Sequence, residues 1–179
     1  LLNPAGFDCA LYNIGTKLDT PSDLYLSVYQ ELISEKYDGC TQIFTDEAKD
    51  GKAVEAAAVL GPRVCVERLP DHSSIFSAEA QAILLGLDRV QQFTSDRFVF
   101  LSDSLSCLQS LQSRDLTHPL IAETLCRVHE FVIRGFSIIF IWVPSHVGLA
   151  GNTAADAAAK AALNLPVTNL AIPYSDYNY

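Results

Sequence analysis

Apolar and polar positions change their period along the chain, and the changes mark the elements. From Thr41, TQIFTD predicts a short strand. After the EAKDGK turn, AVEAAAVLG and RVCVERL predict two more strands joined at Gly61-Pro62, completing an antiparallel meander. The period then lengthens. Ala80, Ile83, Leu84, Leu87 and Val90 recur at helical spacing in SAEAQAILLGLDRVQQF, with Ser77 as the expected cap. Arg97 to Ser102 predicts a fourth strand that ends at Asp103, followed by a helix over LSCLQSLQS. His118-Pro119 opens another helix, whose buried stripe is Ile121, Leu125, Val128, Phe131 and Val132, and Arg134-Gly135 closes it. FSIIFIWV, rich in β-branched and aromatic residues, predicts a central strand. PSHVGLAGN then reads as a loop and TAADAAAKAALNL as a final helix stopped by Pro166. This order predicts an α/β fold: a five-stranded mixed sheet, its first three strands antiparallel, flanked by helices.

The flanks differ from this centre. Residues 1–40 read as an N-terminal extension or linker carrying a helix from Pro21 to about Lys36, capped by Ser22 or Asp23. Leu24, Leu26, Val28, Tyr29 and Leu32 give that helix an imperfect apolar face for the domain at 41–166, and 167–179 read as a short tail lying outside the sheet. With 179 residues and 49% hydrophobic content, the chain has enough core for one domain without a metal or disulfide staple. Cys9, Cys40, Cys65, Cys107 and Cys126 are odd in number and form no CxxC, so buried thiols in an intracellular protein are expected. Apolar tracts break before the roughly 20 residues a spanning helix needs, so no membrane partner is expected.

Charge first argues against nucleic acid, because phosphate binding is electrostatic and the chain carries a net charge of −9. The distribution changes that conclusion. Residues 41–166 hold ten Lys and Arg against fourteen acids, and four of those acids stand where they could share one face. Asp46 ends the first predicted strand, Glu79 lies near the start of the first helix, Asp103 follows the fourth strand and Asp156 lies in the last helix. A carboxylate cluster suits hard divalent cations and is costly without them. Each acid also has a plainer role. Asp46 could cap a turn, Glu79 could face the helix dipole, Asp103 could cap the following helix, and Asp156 could pair with Lys160 at i,i+4.

The segments around these acids tip the balance. IFTDEAKDG, SAEAQAILLGL, FLSDSLSCLQSL and WVPSHVGLAGNTAADAAAKAA, in this order from about Gln42 to Leu165, resemble the type 1 ribonuclease H domain. More narrowly, they resemble the domain that follows reverse transcriptase in non-LTR retrotransposon polyproteins, and the tail AIPYSDY is similar to sequence just beyond it. The resemblance implies a ribonuclease H-like fold and a metal-dependent endonuclease that hydrolyses the RNA strand of RNA–DNA hybrids. It implies that Asp46, Glu79, Asp103 and Asp156 hold two Mg²⁺ ions, with Mn²⁺ able to substitute, and that the products carry 5′-phosphate and 3′-hydroxyl ends. It also assigns His146, in PSHVG, to proton movement or product release near the leaving group.

Recognition would then depend on the RNA 2′-hydroxyls and the backbone, with Ser104, Asn152 and the backbone around Glu47 and Ala48 as candidate contacts. Trp142 is expected in the core or at a sheet edge rather than stacking on a base. Two positions depart from the family pattern. Glu47 replaces the usual small residue after the first aspartate, and Thr153 replaces a common glutamate after Gly151-Asn152. No dense basic protrusion is present either, because residues 113–134 carry only Arg114, Arg127 and Arg134. The alternative function is therefore a catalytically weakened connector packing against the reverse transcriptase of the same polyprotein. An isolated domain of this kind is expected to be a monomer.

Overall fold

The computed structural model describes residues 6–170 together with Pro173 and Asp176. Six strands form one mixed sheet: β1 Gly6–Asp8, β2 Thr41–Asp50, β3 Ala53–Leu60, β4 Arg63–Arg68, β5 Arg97–Ser102 and β6 Ser137–Trp142. Their spatial order is β1-β6-β5-β2-β3-β4, with β2, β3 and β4 antiparallel and β2, β5, β6 and β1 parallel. The five-stranded expectation is thus one strand short. The extra strand is the three-residue β1, too brief to show alternation, which pairs Phe7 with Phe140 and stacks the two rings 5.4 Å apart.

Five helices cover the sheet: α1 Ser22–Lys36, α2 Ile75–Leu87, α3 Leu105–Ser113, α4 Pro119–Ile133 and α5 Ala150–Ala162. Alternation along the strands divides the core in two. Ile43, Phe98, Phe100 and Phe140 pack with the apolar faces of α2, α3 and α4. Phe44, Val99, Leu101 and Ile141 pack on the other side with Tyr25 of α1 and Ala155 of α5. Residues 6–40 therefore cover part of the sheet rather than hang from it. Asp8 fixes them further, accepting hydrogen bonds from Tyr37 and Lys36, each at 2.7 Å.

Two glycines set how closely helices approach the strands. A Cβ on Gly86 of α2 would lie 2.8 Å from Phe100 and 2.9 Å from Ile43, and one on Gly151 of α5 would lie 2.2 Å from the Phe44 ring. Only a glycine fits at these contacts without displacing an aromatic ring.

Three boundaries depart from expectation. Helix α2 starts at Ile75, and its cap is Ser74, whose hydroxyl accepts from the Ser77 N–H. Helix α5 begins at Ala150, so Gly151 and Asn152 belong to its first turn rather than to the preceding loop. The tail does not simply leave the domain: Thr168 donates its N–H and its hydroxyl to the Arg68 carbonyl, and the buried Asp176 carboxylate accepts from the Ser74 N–H at 2.9 Å. The rest of the expected SDYNY tail falls outside the described residues. All five cysteines are free, but only Cys107 is buried; Cys9 and Cys126 are exposed and the other two lie between. Among the described residues, no helix is long and apolar enough to cross a membrane.

Candidate metal centre

Parallel pairing of β2 with β5 places the first two acids. The last matched pair is Thr45 with Ser102, so Asp46 and Asp103 follow side by side on strands that neighbour each other at about 4.8 Å. Beyond this point β2 continues against β3, where Asp46 faces Ala57, a residue too small to cover it. Glu79 arrives from a different layer. It lies in the second turn of α2, buried to 4% exposure, and the Ser74 cap and close seat of Gly86 hold that helix in place.

One carboxylate oxygen from each of Asp46, Glu79 and Asp103 lies within 4.8 Å of the others. The electrostatics show how unfavourable that is for bare charges. Burial, then the Asp103 charge and more weakly those of Asp156 and Glu47, push the Asp46 carboxyl up to about 7, although it accepts a hydrogen bond from the Glu47 N–H at 2.9 Å. Burial and the Asp103 and Asp46 charges hold Glu79 well above its ordinary range, and its Oε2 is buried with no hydrogen-bond partner among the described residues. Asp103 is raised chiefly by burial, with the His146 and Lys17 charges pulling the other way. Three hard oxygen donors, desolvated and mutually repelling, fit a divalent cation: its charge would remove the repulsion and its coordination would satisfy the orphaned Glu79 oxygen.

The structure treats the other expected site residues differently. Asp156 stays outside this trio, and its carboxylate pairs with Lys160 one turn along α5 at 2.7 Å. It lines a cleft of about 430 Å³ with Glu47, Ala48, His146 and Lys160, beside the centre. His146 is exposed, at the tip of the turn between β6 and α5, with a left-handed φ of 58° that fixes where the turn aims its ring. Glu47 brings a fifth acid into this neighbourhood. Its carboxyl is raised by burial and then by the Asp103 and Asp156 charges. Of the expected substrate contacts, Ala48 is buried at the cleft wall, and Ser104 is half-buried with its N–H on the Ser102 hydroxyl. Asn152 is only 4% exposed, its Oδ1 unpartnered among the described residues.

Two residues enter the site without a signal in local sequence. The Trp142 indole donates to the Asp103 carbonyl at 3.1 Å and packs edge-on against Tyr12, so the aromatic at the end of β6 fixes the backbone that carries a candidate ligand. Lys17, from the N-terminal segment, donates to the hydroxyl of Ser145 at 2.7 Å, one residue before His146. The register Ser102 with Trp142 could have suggested the first; nothing in a linear reading suggests the second.

The sequence model of the reverse transcriptase-like family, a family of ribonuclease H-like domains, matches residues 36–162. That span takes in Asp46, Glu47, Glu79, Asp103 and Asp156 and the His146 turn. A comparison with curated proteins finds no match.

Proposed function

We propose that this chain, which belongs to the reverse transcriptase-like family, is a metal-dependent nuclease that hydrolyses the RNA strand of RNA–DNA hybrids. The carrying observation is the convergence of Asp46, Glu79 and Asp103, brought together from β2, the end of β5 and a helix, next to the cleft that Glu47, His146 and Asp156 line. Divalent cations bound by these carboxylates, with Asp156 as a further ligand once released from Lys160, would polarise the scissile phosphate and acidify the attacking water.

The chain's own residues do the rest. Trp142 holds the Asp103 backbone still, and the Glu47 N–H on Asp46 orients that carboxylate. Water attacks phosphorus and gives up a proton to solvent, the P–O3′ bond breaks, and protonated His146 on its exposed turn supplies the proton that O3′ takes up before regaining one from solvent, leaving 5′-phosphate and 3′-hydroxyl ends. Ser104 and the backbone at Glu47 and Ala48 would read the 2′-hydroxyls that mark the RNA strand. Asn152 would join them only where the first turn of α5 opens. The same reading makes this a type 1 domain from a non-LTR retrotransposon polyprotein, working beside its reverse transcriptase.

The Asp156–Lys160 ion pair and the extra acid Glu47 favour one second reading, a catalytically weakened ribonuclease H-like connector that packs against reverse transcriptase. A single panel separates these readings: end-labelled RNA–DNA hybrid, duplex RNA and duplex DNA of one sequence, each incubated with the full chain and Mg²⁺. The proposal expects cleavage of the RNA strand of the hybrid alone, with 5′-phosphate ends. No cleavage at high enzyme concentration would favour the connector, and cleavage of duplex DNA would refute the hybrid assignment.

A further inference from the structure

A centre with this many acids needs positive charge at its rim to receive a phosphodiester backbone, and several of the chain's cations are already engaged. Lys160 is held by Asp156 at 2.7 Å, Lys52 by Asp71 at 2.9 Å, and Arg68 and Arg127 by their own carboxylates. Two lysines near the centre form no ion pair among the described residues: Lys49, exposed on the wall of the cleft, and Lys17, exposed and seated on Ser145 beside the His146 turn. Lys17 thus stands on the turn that carries His146, whereas Lys160 is held on α5 by Asp156.

Its position is built into the fold. Leu11 and Tyr25, both fully buried, pack in one cluster with Val143, Val147 and Leu149, the residues that bracket Ser145 and His146. The Tyr25 hydroxyl also donates to the Gly15 carbonyl at 3.2 Å, tying the loop that carries Lys17 to α1. The N-terminal segment and the His146 turn thus share one packing unit, and Lys17 moves with that turn. An ammonium has three donors. One is spent on Ser145, and two remain for phosphate oxygens.

We propose that Lys17 is a substrate-binding residue that contacts a backbone phosphate of the nucleic acid beside the His146 turn, so that the N-terminal segment completes the binding cleft. The assignment rests on the nuclease reading. Its test is hybrid binding, measured by fluorescence anisotropy with the full chain carrying Asp46→Asn to prevent cleavage, in Mg²⁺ and from 50 to about 200 mM salt. Adding Lys17→Ala should weaken binding about 3–10-fold and reduce the slope of log affinity against log salt by about one, because one fewer counterion is displaced. Lys17→Arg should restore both, and the melting temperature should not move, because the side chain is exposed.

An unchanged salt slope in Lys17→Ala, with or without loss of affinity, overturns the proposal, since bracing of the turn alone would cost affinity without changing the count of phosphate contacts. If the chain with Lys17 intact shows no saturable hybrid binding, the nuclease reading itself fails and takes this one with it. Binding that is strong, salt-dependent and indifferent to Lys17 removes this assignment only.

Discussion

Replacing Asp46 by Asn should stabilise the metal-free protein while abolishing its response to Mg²⁺. The Asp46 carboxyl is pushed from 3.8 up to about 7, first by burial and then by the neighbouring Asp103 charge. At about 1.4 kcal/mol per pH unit, this sets a ceiling of about 4 kcal/mol on what ionising it costs the folded state. Asn keeps an acceptor for the Glu47 N–H and removes the charge, but its buried amide carries a desolvation cost, so a net gain of about 1–2 kcal/mol is expected. That corresponds to a rise of about 2–8 °C in Tm for a chain of this length. The pH dependence fixes the sign. A carboxyl whose folded pKa lies above its unfolded value contributes stability that is complete below about 4 and lost as pH rises through about 7. The advantage of Asp46→Asn should therefore be largest near pH 8 and shrink toward pH 5. Asp8 limits the window at the acid end: burial raises it, but its bonds from Lys36, Tyr37 and the Ala10 N–H outweigh burial and hold it below 3.8, so its contribution disappears only in stronger acid. Denaturation in EDTA across pH 5–8 is the assay. A variant less stable than the parent at pH 8, or a gain that does not change with pH, would refute the electrostatic account.

Three further outcomes follow from contacts elsewhere. Asp176→Asn removes a charged acceptor from the Ser74 N–H at the start of α2 and should cost about 1–2 kcal/mol, read by urea denaturation. Gly86→Ala should cost about 1–3 kcal/mol despite alanine's better helix propensity, because its methyl would enter the space of Phe100 and Ile43; thermal melting distinguishes the two effects by sign. Trp142→Phe keeps the ring but loses the bond to the Asp103 carbonyl, and should weaken Mg²⁺ affinity about ten-fold with little change in fold, measured by calorimetric titration.

Long elements with a clear period were legible in the sequence; contacts that close over long distances were not. The meander β2 to β4 and the apolar stripe of α4 follow from local patterning. Three-residue β1 exists only because β6, more than 130 residues away, offers a parallel edge. Ser74 and Ser77 stand three apart and either could cap α2; only the folded chain shows the first accepting from the second. Within the site, neighbouring positions for Asp46 and Asp103 come from the β2–β5 register, which spacing along the chain does not encode. The Asp156–Lys160 pair was readable as an i,i+4 contact. Lys17 was not, because 128 residues separate it from Ser145.

The central claim is that Asp46, Glu79 and Asp103 hold the divalent cations that drive cleavage of RNA in a hybrid. Its most direct measurement is the rate of RNA-strand cleavage across a Mg²⁺ titration, with the parent chain and Asp46→Asn side by side at pH 8. The account predicts a parent rate that rises from zero in EDTA to saturation, and a rate for Asp46→Asn lower by about a hundred- to a thousand-fold at every concentration, as loss of a ligand to the cations that stabilise the transition state implies. Cleavage that persists in EDTA, or a variant that cleaves as fast as its parent, would contradict it.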